Sequence, residues 1–153
     1  MTLLDVIRIM EVTASTQPAV KMLVRNDIFR LNGYPDARYG VFAWTQQQHS
    51  VVSEDLIRYS FSIFYVDRLT EDLGNQVEVQ SVGIEVLRNI IRSMEAAGCY
   101  LANTVTFTTF NQRFMDECAG VFATVAFEVP AGSVCPEEYA DFNEDFNEDF
   151  LIL

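Results

Sequence analysis

The stretch from residue 56 to residue 66 constrains the fold most. Ile57, Tyr59, Phe61, Ile63 and Tyr65 alternate with Arg58, Ser60, Ser62, Phe64 and Val66. A period of two marks a strand, because successive side chains point to opposite faces of a sheet. One face is apolar throughout and has to be buried. The other starts polar and turns apolar at Phe64 and Val66. That change predicts a cover over one end of the second face.

Residues 76–97 change period. Val79, Val82, Val86, Leu87, Ile90, Ile91 and Met94 recur at helical spacing, and Gly98 follows as a stop. Asp72, Asn75 and Ser81 are equivalent candidates for the cap. Residues 2–14 carry a second helical stripe, Leu3, Leu4, Ile7, Met10 and Ala14, which ends before Pro18.

Residues 19–31 are compatible with short strands, and Asn32-Gly33-Tyr34-Pro35-Asp36 is a turn signal. Tyr39 to Trp44, 103–110 and 120–129 are further strand candidates, with Val129-Pro130 closing the last. Asn111 to Ala119 reads as a hairpin-like loop or a short turn of helix. The order predicts an α+β fold. An antiparallel sheet would be packed by an N-terminal helix and a long central helix.

The chain has 153 residues, half of them hydrophobic, with 10 bases against 22 acids and a net charge of −12. That sustains one core, expected over residues 1–136. A free-standing nucleic-acid binder needs a basic face, which this balance argues against. No apolar run reaches the roughly 18 residues of a membrane span, and the first residues show no secretion signal. Cys99, Cys118 and Cys135 lack paired spacing and read as reduced thiols of an intracellular protein.

The acidity is concentrated. Residues 137–149 hold seven acids and no base, and no base follows Arg113. Within this tail Asp-Phe-Asn-Glu repeats every four residues, and the chain closes on Leu151-Ile152-Leu153. Composition alone fits a solvated acidic tail. The aromatic spacing instead puts Phe142, Phe146 and Phe150 near one helical stripe. The expectation for 137–153 is that these residues and Leu153 fill an apolar groove of a partner or neighbouring subunit, with the acids meeting arginines at its rim. Nine of the ten bases are arginine, the residue suited to bidentate carboxylate pairing.

Catalytic chemistry is not signalled. The single histidine, His49, sits among glutamines and has no nucleophile elbow to serve. Asp141-x-Asn143-x-Asp145 starts like a calcium loop, but Phe146 stands where the loop needs Gly and Ile152 where it needs Glu. The dispersed glycines form no phosphate loop. The pairs Asp116-Glu117 and Glu137-Glu138 read as solvated loop acids. No enzyme, cofactor or metal is expected. Arg113, Asp116 and Glu117 have two open readings: charged contacts across a subunit boundary, or the closing of an ordinary hairpin.

Two stretches together carry a resemblance. One runs Tyr59-Ser-Phe-Ser-Ile-Phe-Tyr-Val-Asp-Arg-Leu69, then Asn75, then Glu78-Val79-Gln80-Ser81 opening a helix. The other runs Asn111-Gln-Arg-Phe-Met-Asp-Glu-Cys-Ala-Gly120, then a strand ending Glu128-Val129-Pro130, then Cys135-Pro136. Over roughly residues 55–136 this combination resembles small neck and tail-completion proteins of tailed bacteriophages, particularly crAss-like and related podoviruses. The resemblance implies a tail-terminator-like fold and a structural virion protein, either head–tail connector or tail terminator. It implies a homo-oligomeric ring, hexamer or dodecamer, between portal, connector or tail ring proteins. DNA would pass through its channel without sequence-specific contact. The competing reading is a cytoplasmic adaptor whose acidic tail binds a partner protein.

Overall fold

A computed structural model describes residues 1–33, 38–70, 72, 74–113, 117–131 and 151–153. Its spine is a pair of long antiparallel strands, β4 (Leu56–Arg68) and β7 (Glu117–Pro130), paired over thirteen consecutive positions. Common strands run to about five or six residues. On one flank of β4 lie β3 (Ser50–Ser53) and β2 (Val41–Gln46); on the outer flank of β7 lie β5 (Tyr100–Leu101) and β6 (Thr108–Arg113). Beyond β2 come β1 (Met22–Arg25) and then β8 (Leu151–Ile152).

Both helices lie on one face. The helix α2 (Gln76–Ala96) packs on β4 and β7, and α1 (Leu3–Ser15) packs on α2 and β1. Between them and the sheet sits the larger core, with Phe42, Phe61, Ile63, Tyr65, Leu87, Ile90, Val125 and Phe127 essentially sealed from solvent. These are the inward positions of the alternation that the sequence displays. A smaller cluster lies on the opposite face, where a 3-10 segment (Ile28–Gly33) covers Met22, Val24, Val41 and Ala43, with Val66, Cys118 and the partly buried Phe64 beside it. The cover expected over the Phe64–Val66 end is therefore present.

The sheet is not wholly antiparallel. β1 runs parallel to both of its neighbours, β2 and β8. Residues 26–40 separate β1 from β2, long enough for the dozen or so residues that a parallel return needs. Two strand limits also differ from expectation. β6 and β7 extend into the charged segment, leaving 114–116 between them, while residues 103–107 are not strand. There Asn103 takes over the edge: its side-chain carbonyl accepts from Ala126 N–H (2.8 Å) and its amide donates to Thr124 O (3.0 Å). The expected boundary near residue 136 lies outside the described residues.

The helix ends are set by side chains. Thr2 and Asp5 form a capping box at α1, with Asp5 N–H donating to Thr2 Oγ1 and Thr2 N–H to Asp5 Oδ2 (2.6 Å). At α2, Asn75 holds the cap position but its side chain turns back to the end of β4. It accepts from Thr70 N–H (2.8 Å) and donates to Arg68 O (3.2 Å). Asp72 accepts from the Thr70 hydroxyl and Gly74 N–H, which hold its carboxyl below the usual range. Gly98, at φ 95°, ends the helix in the left-handed region.

The spine closes around one ring. Tyr65 is buried beneath α2, and a Cβ on Gly83 would come 2.9 Å from that ring. A Cβ on Gly120 would meet Tyr65 O at 2.4 Å and the Phe110 ring at 2.6 Å. The first obstacle is backbone and cannot swing aside. Gly120→Ala is therefore expected to destabilise the chain by about 1–3 kcal/mol, read as a fall in the urea midpoint with unchanged slope.

Candidate functional site: a cleft beside a buried carboxylate

α1 is rotated from its expected position. Its buried face is Asp5, Val6, Ile9, Met10, Glu11, Thr13 and Ala14, whereas Leu4 is exposed and Ile7 only half-buried. The expected stripe of Leu3, Leu4, Ile7, Met10 and Ala14 thus holds for Met10 and Ala14 and fails for Leu4. The rotation is set by Glu11, which is 1% exposed. A buried carboxylate needs partners. Glu11 has them on two strands. Arg25 of β1 donates from Nε to Oε1 and from a terminal nitrogen to Oε2, both at 2.8 Å. Trp44 of β2 donates from Nε1 to Oε1, also at 2.8 Å. Leu23 and Arg25, and Phe42 and Trp44, point to the helix face by strand alternation, so both strands present a donor to the helix at the same depth.

This triad forms the inner wall of a cleft of about 390 Å³ between α1 and the ends of β1 and β2. Leu4, Ile7 and Arg8 line the helix side; Arg25, Trp44 and Gln46 line the sheet side. Arg25 is bound to Glu11, whose hydrogen bonds and charge raise the guanidinium's pKa and outweigh the opposing effect of burial. Arg8 makes no ion pair among the described residues. The cleft thus joins apolar walls to a cationic rim. Its one carboxylate already has all the partners it needs to hold α1 on the sheet.

The other sequence-derived positions lie elsewhere. Arg113 and Glu117 are directly opposed at the ends of β6 and β7 and close that hairpin. Glu117 is exposed, and its carbonyl accepts from Leu69 N–H at 2.9 Å. Asp116, Phe142, Phe146 and Phe150 lie outside the described residues. Leu153, expected in a partner's groove, sits on its own sheet: it donates to Leu23 O (2.8 Å), accepts from Arg25 N–H (3.2 Å) and packs on the smaller cluster. Its reason is local, since β1 would otherwise expose an unpaired edge. Of the seven proposed interface residues, the structure describes Arg113, Glu117 and Leu153, the first two on the β6–β7 hairpin and the third beside β1.

His49 is structural. Its Nδ1 accepts from Ser60 N–H (3.2 Å), its Nε2 faces Gln46 Oε1 (3.1 Å), and its ring packs against Tyr59 and Phe61. That pattern requires the proton on Nε2. Among the described residues no three metal-ligating side chains converge, and no helix is long and apolar enough to cross a membrane. Cys99 is buried, which pushes its thiol up to about 11. The Tyr65 hydroxyl is also raised, by burial first and by Asp67 second.

The signal for the cleft was weak. Glu11 fell on the helix and Arg25 and Trp44 on strand candidates, but nothing in the spacing joined them. Comparison with protein-family models finds none that matches the chain, and comparison with curated proteins finds no match.

Two outcomes are expected. Glu11→Ala strands the Trp44 N–H and removes the carboxylate partner of Arg25. Full burial of such a pair implies a loss of about 3–5 kcal/mol. Because Arg25 is about a third exposed, about 2–3 kcal/mol is expected, measured by chemical denaturation. For Cys99, a two-unit rise makes the thiolate fraction about 100-fold smaller near neutral pH. Peptide mapping after brief alkylation of the native chain should find Cys99 unmodified. The same rise means the folded state holds a proton that the unfolded chain releases, so this stability is present below pH 9.0 and is lost up to about 11. The slope is at most about 1.4 kcal/mol per pH unit.

Proposed function

We propose that this chain is a non-enzymatic structural subunit of a phage neck or tail, assembling into a closed ring around the genome channel as a head–tail connector or tail terminator. The observation that carries the reading is the face of the sheet opposite the two α-helices. Along it the opposed pairs of β4 and β7 grade from Arg58–Glu128, an ion pair, through Ser60–Ala126 and Ser62–Thr124 to Phe64–Phe122. Phe64 and Phe122 stack at 5.7 Å, and Phe110 joins them at 6.5 and 6.1 Å. All three are half-buried. Among the described residues no α-helix lies on this face.

A half-buried aromatic group at the edge of the smaller cluster, with small polar residues beside it, fits the middle of a subunit contact. A ring needs two different, complementary surfaces on each subunit. The open face and the arginine-lined cleft are different surfaces. The net charge of −12 suits a channel wall past which DNA slides without adhering. The resemblance over residues 55–136 supplies the virion setting, including the portal, connector or tail ring neighbours.

Native mass spectrometry of the full chain, alone and with the products of adjacent genes, tests this reading. Six or twelve copies are expected, and Phe122→Asp should return the assembly to subunits while circular dichroism stays unchanged. A monomer or dimer in every mixture would contradict the ring and favour a cytoplasmic adaptor.

A further inference from the structure

We infer that the cleft between α1 and the β1–β2 ends is the receptor for the acidic aromatic repeat of a second copy of this chain. The inference rests on the ring reading and specifies one of its contacts. Three observations converge on it.

Charge is the first. The rim carries Arg8, which has no ion pair among the described residues, and the partly exposed Arg25. Residues 137–149 carry seven acids and no base. Phe142 and Phe146 each have Asp immediately before them and Glu two residues after, whereas Phe150 has Asp149 before it and Ile152 two residues after. Phe142 or Phe146 lodged in the cleft therefore brings a carboxylate to each side of it, within reach of Arg8, while Arg25 stays on Glu11.

Shape is the second. The walls offered to the ring are Leu4, which is 54% exposed and outside the core, and the outer side of the half-buried Ile7, which also packs on the core. The cleft volume of about 390 Å³ accepts one aromatic side chain with its neighbouring backbone. The four-residue period offers two equivalent phenylalanines, Phe142 and Phe146, for one such seat.

Placement is the third. Leu151–Ile152 are fixed on β1, whose last residue is Arg25 of the cleft. The repeat therefore departs from the outermost strand of the sheet. Its ten residues, 141–150, span at most about 33–36 Å, enough to reach an adjacent subunit. Tail as donor and cleft as acceptor form a head-to-tail contact, the kind that closes rings.

The test uses the full chain with Phe146→p-benzoyl-phenylalanine. Nitrogen-14 and nitrogen-15 copies are mixed under assembling conditions and irradiated, and tryptic peptides are mapped. Mixed-isotope cross-links from position 146 to peptides 1–8 or 22–25 are expected. Arg8→Glu in the same chain should cut their yield by about fivefold or more, since an attractive rim charge becomes repulsive, with the circular dichroism spectrum unchanged. Cross-links confined to one isotope would mean that the tail occupies its own cleft and would overturn the inference. So would cross-links mapping elsewhere, no cross-links, or a yield indifferent to Arg8. Closed rings that lack the cross-link would defeat this contact alone, whereas absence of rings would defeat the ring reading itself.

Discussion

The pairing of β4 with β7 is the constraint from which the rest of the fold follows. Thirteen unbroken pairs make a stiff ribbon, and every other strand is an addition to one of its flanks. The ribbon's inner face fixes where α2 lies. Tyr65 sits at the centre of that contact, and Gly83 lets the helix approach its ring. Gly120 does the same for the backbone on the opposite side, where Phe110 covers it. Residues without a side chain are thus spent at the points where helix, ribbon and hairpin come closest.

A second constraint is electrostatic. Glu11 gives up hydration to enter the sheet–helix boundary, and that cost is met by Arg25 from one strand and Trp44 from the next. An apolar residue would have packed there with less penalty. The carboxylate instead fixes the rotation of α1. In doing so it leaves Leu4 exposed beside the half-buried Ile7 and Arg8, and these residues line the helix side of the cleft. The internal ion pair and the outward-facing surface are therefore two sides of one arrangement.

The elements with a strong single period were legible in the sequence. The strand at residues 56–66, its apolar end and the helix stopping at Gly98 all follow from alternation, helical spacing and a glycine stop. The face of α1 was not legible. Leu4 and Val6 are equally apolar, and the choice between them is made by Glu11, whose partners lie 14 and 33 residues away. The β6–β7 hairpin was legible but its strand limits were misplaced, because Asn111, Gln112 and Arg113 look like loop residues. They are strand because β7 offers them an open edge. The parallel course of β1 could not be read, since direction depends on where a long connection returns. Of the interface residues described, Arg113 and Glu117 stand opposite each other in the β6–β7 register, and Leu153 lies beside β1.

The face opposite the two α-helices and the cleft point in different directions and have different chemistry, one aromatic with an Arg58–Glu128 pair at its far end, the other apolar with arginine at its rim. That division suits a subunit that meets neighbours on two sides. Cryo-electron microscopy of the assembled full chain would decide the matter most directly. The account predicts a closed ring of subunits with Phe64, Phe110 and Phe122 buried at each seam. Particles that remain single subunits, or rings whose three phenylalanines stay in solvent, would contradict it.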